Sequence, residues 1–172
     1  MLETTLCFPL REAEGDGDPA SATTNADRDV LLIEKRRGLG EGWHNGPGGK
    51  CEPGETPQEC AIRETREEVG LAVRDLEKAG ELTFLLDGAD HTVCHVYRTT
   101  SFDGEPTPST EARPEWVPVD DVPYDQMWDD DHLWLPGVLE GRTVSAEFRF
   151  VGGEPLDEAE FVEHDLEWDV SF

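Results

Sequence analysis

Apolar positions in this chain gather into short stretches that alternate with polar residues or are rich in strand formers. Thr4 to Leu10, Asp29 to Lys35, Ala79 to Leu86, Thr92 to Thr99, Glu115 to Val119 and Val144 to Val151 all read as strands. Helical patterning is confined to two segments. The first runs from Pro57 to Val69: Thr56 is a good N-cap, Pro57 suits the first helical position, Glu59 completes a capping box and Gly70 supplies the stop. The second lies around Asp131 to Leu139, where Pro136 interrupts the register. A last strand is expected near Ala159 to Val162, followed by an acidic extension from about residue 164 that frays. Arg11 to Arg28 has almost no apolar content and reads as a mobile insertion between the first two strands, carrying no chemistry. The sum is an α+β fold in one domain spanning residues 1–172, without internal repeats.

The first helix also carries the chemistry. At about 100° per residue, Glu64, Glu67 and Glu68 project from neighbouring positions, with Glu64 and Glu68 one turn apart. Like charges so placed repel, and a divalent cation reverses the sign of that interaction. Carboxylates, a backbone carbonyl and waters form a ligand set that Mg²⁺ or Mn²⁺ accepts, along with substrate phosphate oxygens. Arg63 reads as an internal partner for Glu55, orienting the loop against the helix. Taken alone, three glutamates in so acidic a chain would more readily be read as a solvated acidic face.

The surrounding string is more specific. Gly49, Glu55, Arg63, Glu64, Glu67, Glu68, Gly70 and Leu71 fall at the spacing of the signature of the Nudix hydrolases, which this chain resembles. Thr65 departs from it, standing where the signature has a bulky apolar residue. The resemblance implies the Nudix fold, a mixed β-sheet packed between helices in an α/β/α sandwich. It further implies that the Gly48 carbonyl with Glu64, Glu67 and Glu68 holds one or more Mg²⁺ ions. Glu111 joins them as a further ligand or as the base; Glu64, Glu68 and Glu111 are all candidates for the proton acceptor.

Outside the signature, the run from Lys35 to Lys50 and the run from Met127 to Pro136 resemble the oxidised-purine nucleoside triphosphatase branch of that family, of the 8-oxo-dGTP diphosphatase type. In that branch an Asn before the Gly-rich turn and a Trp followed by aspartates form the base pocket; here these are Asn45, Trp128, Asp130 and Asp131. A flat indole offers a stacking surface, Asn pairs with a purine edge, and adjacent carboxylates can share one proton so that one donates and the other accepts. Thr5, Lys35, Phe84 and Thr92 align with pocket walls, Pro47 with a pocket aromatic, and Lys50 and Arg36 are candidates for phosphate contact. Asp129, Leu39 and His44 depart from the branch's pattern. The implied reaction is attack of water on the β-phosphorus of a nucleoside triphosphate, giving monophosphate and pyrophosphate. Other family substrates, such as ADP-ribose, a dinucleoside polyphosphate or an ordinary nucleotide, and a non-catalytic nucleotide-binding domain are the alternatives. Without the resemblance, Trp128 and Trp134 would read as core aromatics and the aspartates as a helix N-terminus.

Composition narrows the partners. Forty acidic residues against fourteen basic ones give a formal charge of -26, which opposes binding to nucleic-acid polymers and anionic membranes. A small nucleotide chelated to a cation remains acceptable. Acid spread along the whole chain resembles the proteins of salt-accumulating halophiles. Cys7, Cys51, Cys60 and Cys94 form no Cys-x-x-Cys pair and read as reduced thiols; His91 and His95 lack zinc-site spacing and read as sheet positions. With no signal peptide or apolar run long enough to span a bilayer, the expectation is a cytoplasmic monomer.

Overall fold

The computed structural model describes residues 1–13 and 28–172. Two helices among them pack on opposite faces of a mixed sheet. The strands are β1 (Leu2–Glu12), β2 (Arg28–Lys35), β3 (His44–Asn45), β4 (Gly48–Lys50), β5 (Ala72–Arg74), β6 (Glu77–Leu86), β7 (Ala89–Thr99), β8 (Ser101–Asp103), β9 (Ala112–Pro118), β10 (Val144–Val151) and β11 (Glu160–Trp168). The helices are α1 (Pro57–Val69) and α2 (Asp131–Leu139). The large sheet runs β11-β10-β6-β7-β1-β2-β3, with β4 also pairing β1 and β9 pairing β2; β5 and β8 form a separate ribbon. β1 pairs β7 in parallel and β6 pairs β10 in parallel, while the remaining ladders are antiparallel.

Strand alternation divides the core into two. Phe8 and Leu10 of β1, with Val30 and Leu32 of β2, face Trp134, Leu135 and Val138 of α2. Cys7, Leu31 and Ile33 face Ala61 and Val69 of α1. Because both faces are covered, the middle of β1 reads as a continuous apolar run, as central strands do.

α1 forms where its caps place it. Thr56 accepts from the Glu59 N–H at 3.1 Å, the Glu59 carboxylate accepts from the Thr56 N–H at 3.3 Å, and Gly70 closes the helix at φ 73°, a left-handed conformation that favours glycine. Thr65 is fully buried beneath the helix. Its hydroxyl donates to the Ala61 carbonyl at 2.7 Å, so the polar group standing in an apolar position is satisfied within the helix. α2 carries Pro136 in its interior and still runs on to Leu139. Its C-terminal carbonyls are collected by the buried Arg98, which donates to Val138 at 3.0 Å and to Gly141 at 3.0 Å.

Two expectations change at the edges. β1 extends to Glu12 and β2 starts at Arg28, with Arg11 opposite Asp29 and Glu12 opposite Arg28, so the ends of the expected insertion are paired strand. The rest of that segment lies outside the described residues. The C-terminal acidic stretch does not fray beyond residue 164: β11 continues to Trp168 and pairs with β10 along its length. Phe161, Leu166 and Trp168 pack on the α2-side core, while Glu163 and Asp165 pair with Arg149. The acid on its outer face hides that apolar pattern.

Candidate active site

The Gly-rich turn fixes the site's floor. β4 lies so close to β1 that a Cβ on Gly48 would sit 1.9 Å from the Thr5 carbonyl oxygen, and one on Gly49 would sit 2.5 Å from the Glu64 carboxyl carbon. Only glycine lets the loop pass between strand and helix, bringing the Glu64 carboxylate against backbone.

Arg63 organises the acidic side of α1. Its guanidinium donates to Glu55 at 2.7 and 2.9 Å, to Glu64 at 2.8 Å, to Glu67 at 3.1 Å and to the Lys50 carbonyl at 3.1 Å. This bidentate contact holds the Glu55 carboxyl well down, to about 2. Glu67 is exposed. Glu68 is nearly inaccessible, and its Oε2 has no partner. Burial pushes its carboxyl up to about 8, against the pull of Lys35, and Glu64 and Glu111 add to the rise. Burial also raises Glu64. Glu111 is exposed, held at 2.9 Å by Arg37.

Among the described residues, no three His, Cys, Asp or Glu side chains converge tightly enough to hold a metal ion as they stand. Arg63 draws Glu64 and Glu67 to itself. The donor set nevertheless fits a hard cation: a buried carboxylate oxygen without a donor, beside further carboxylates, is what such an ion satisfies.

A cleft of about 390 Å³ borders this turn, lined by Gly48, Gly49 and Lys50 and by Asn45, Trp128 and Asp130 among others; Glu64, Glu67, Glu68 and Glu111 are not among its lining residues. Thr5, Lys35 and Phe84 line it as well. Trp128 is held edge-on by Trp43, with ring centroids 5.1 Å apart and planes at 86°. The Asn45 side-chain oxygen accepts from its neighbour's Gly46 N–H at 2.8 Å, leaving the amide nitrogen as the group free to donate. Asp130 is fully buried; its Oδ2 accepts from the Trp134 indole at 2.9 Å and its Oδ1 has no partner. Burial raises Asp130 to about 6 and raises Asp131 well above the usual carboxylate range, where the Asp130 charge raises it further. The proton therefore stays on this pair when exposed carboxylates have lost theirs.

Three sequence candidates sit elsewhere. Pro47 is buried against β1, its carbonyl accepting from the Cys7 N–H at 2.7 Å, and does not line the cleft. Asp131 lies behind Asp130 rather than on the cleft wall, since adjacent residues at a helix start point in different directions. Arg36 reaches away from the cleft and donates to the Ser109 carbonyl at 3.0 Å. Sequence reading missed Trp43, which stood within the Lys35–Lys50 run, and also missed His91, Glu154 and Leu156 as cleft residues. Glu154 and Leu156 come from the β10–β11 connection, for which the sequence gives no signal.

A family model described as the NUDIX domain matches residues 20–138. The chain belongs to the NUDIX family. An oxidized purine nucleoside triphosphate hydrolase of Danio rerio is 41% identical over 139 residues, covering 80% of this chain and 86% of that protein. The mouse protein of the same name is 39% identical over 122 residues, covering 70% and 78%. In fold, the chain is similar to the crystal structure of a MutT protein from Bacillus halodurans, with a TM-score of 0.72 at 24% identity over 97% of this chain and 98% of that one. The two helices and mixed sheet are the NUDIX arrangement. All four cysteines are free, and no helix among the described residues is long and apolar enough to cross a membrane.

Proposed function

We propose that this NUDIX hydrolase cleaves oxidised purine nucleoside triphosphates of the 8-oxo-dGTP type to the monophosphate and pyrophosphate, clearing damaged nucleotides from the cytoplasmic pool. The observation that carries this reading is that one cleft is lined both by Trp128 and the buried Asp130 and by Gly48 and Gly49, the last packed against Glu64. A purine stacked on Trp128 presents its polar edge to Asp130 and the Asn45 amide, and directs its phosphates toward Lys35 and Lys50. The Danio and mouse relatives carry the matching name.

The Gly48 carbonyl with Glu64, Glu67, Glu68 and Glu111 would hold Mg²⁺, with Mn²⁺ as a substitute, in one domain acting as a monomer. Bound there, the cation supplies charge neutralisation on the phosphates and acidifies water. Arg63 clamps the Gly-rich loop through Glu55 and sets the direction of Glu64 and Glu67. Glu68 can keep a proton at Oε2 until a positive charge enters. Lys35 and Lys50 offset phosphate charge within an otherwise strongly negative molecule.

A panel of 8-oxo-dGTP, dGTP, ADP-ribose and a dinucleoside polyphosphate, each with Mg²⁺ and with products identified, tests the reading. Preferred turnover of 8-oxo-dGTP with pyrophosphate release is the expected result; preferred turnover of ADP-ribose overturns it.

A further inference from the structure

Thr92 stands across from Phe84 in the β6–β7 ladder, and both residues line the cleft. Thr92 is largely buried and heads a short polar chain. Its Oγ1 lies 2.7 Å from His91 Nδ1, and His91 Nε2 lies 2.7 Å from a Glu154 carboxylate oxygen. Both His91 and Glu154 also line the cleft. The His91 side chain is only 16% exposed, so the ring is held in place rather than free in solvent.

The polarity of this chain follows from its far end. A carboxylate has only acceptors, so Nε2 of His91 must donate to Glu154. In neutral imidazole the other nitrogen is then an acceptor, and the hydrogen of the Thr92 hydroxyl is spent on it. What remains at Oγ1 toward the cleft is lone pairs alone.

We propose that Thr92 is a specificity-determining acceptor for a purine N–H, with His91 and Glu154 as its positioning residues. This rests on the oxidised-purine reading above. An undamaged purine offers an acceptor at N7, whereas the 8-oxo form carries N7–H there. An acceptor fixed in the wall meets the second with a hydrogen bond and the first with lone pairs facing lone pairs. The asymmetry favours the oxidised base without any steric test.

Equilibrium binding of 8-oxo-dGMP and dGMP, followed by calorimetry on the wild-type protein and on Thr92→Val, His91→Phe and His91→Gln, tests this. Thr92→Val keeps the shape and removes the acceptor; it should weaken 8-oxo-dGMP by roughly tenfold without weakening dGMP. His91→Phe frees the hydroxyl hydrogen to donate to an N7 acceptor, so it should tighten dGMP and narrow the preference while Oγ1 still accepts from 8-oxo-dGMP. His91→Gln should restore the preference, because its amide can donate to Glu154 and accept from Thr92. Should His91→Phe fail to fold, Thr92→Val decides. Equal loss for both ligands or no loss for either in Thr92→Val, a wild-type protein without preference, or a Gln variant as unselective as the Phe variant each overturns the proposal. Hydrolysis of 8-oxo-dGTP is read separately. A Thr92-dependent binding preference without hydrolysis sinks the proposed function and leaves this inference standing, and hydrolysis without that preference does the reverse.

Discussion

The two helices each present clustered carboxylates, and they treat them in opposite ways. On α1, Glu64 and Glu67 are tied to Arg63 at the protein surface, with Glu68 behind them. At the start of α2, Asp130 and Asp131 are buried, with the Trp134 indole donating to Asp130 and one oxygen of each carboxyl unpartnered. In the first cluster Arg63 offsets the charge of Glu64 and Glu67 while burial lifts Glu68; the second, with no arginine, lowers its charge by keeping a proton. The same functional group is held as an ion pair or kept protonated according to burial and the presence of an arginine.

Glu68→Gln should break the first half of this comparison most sharply. The change is isosteric and removes a carboxyl that burial already holds up near 8, so the melting temperature should hold or rise. Mg²⁺-dependent pyrophosphate release should nevertheless fall by roughly 10²- to 10⁴-fold. A variant with the wild-type rate would remove the α1 cluster from catalysis.

The second half is tested by pH. Both aspartates have folded pKa values raised above their unfolded ones, Asp130 to about 6, so their contribution to stability is fully present below the unfolded value near 4 and is lost as pH rises through the folded values. The Asp130→Asn, Asp131→Asn double variant lacks that loss. Its stability relative to wild type should climb between about pH 4 and pH 7, by on the order of 2 kcal/mol. Denaturant midpoints across that range provide the measurement, and a difference independent of pH would mean that the pair is ionised in the native state.

How visible these two regions are in the sequence differs for physical reasons. α1 is legible because local chemistry sets it: Thr56, Pro57, Glu59 and Gly70 act within one turn of their own positions, and Gly49 and Arg63 match a spacing that loop and helix geometry impose. The base end is assembled from distant segments. That Trp43 braces Trp128, or that Glu154 meets His91, depends on a sheet that brings β3, β7 and the β10–β11 connection together. The placements of Pro47 and Asp131 depend on which way one residue of a turn or helix start points, a matter of a single dihedral. β3 and β4 are two and three residues long, too short to show alternation. β11 was obscured because acidic residues occupy its outward positions.

β11 offers a smaller test of the α2 side. A Cβ on Gly137 would come within 2.4 Å of the Trp168 ring, and the Arg142 guanidinium sits 4.5 Å from that ring's centre, so the last strand braces the helix that carries the aspartates. Trp168→Ala should destabilise the fold by about 2 kcal/mol, less than a fully buried tryptophan would, because the ring is only partly covered. If β11 frayed in solution, the midpoint of unfolding would not move.

Salt separates the two clusters with the least perturbation. A formal charge of -26 repels itself across the surface, and molar KCl reduces the Debye length to about 3 Å, so the melting temperature should rise by a few degrees. Screening acts on exposed charge such as Glu67 and Glu111 and hardly at all on Asp130 and Asp131 in the dry interior. The gain on adding KCl should therefore be the same in wild type and in the Asp130→Asn, Asp131→Asn variant, measured by thermal melts at neutral pH. A melting temperature that falls with KCl would contradict the surface-repulsion account. A gain that disappears in the double variant would place the salt sensitivity at the buried pair, and would mean that water and ions reach carboxylates which the packing of Trp134 and Phe8 closes off.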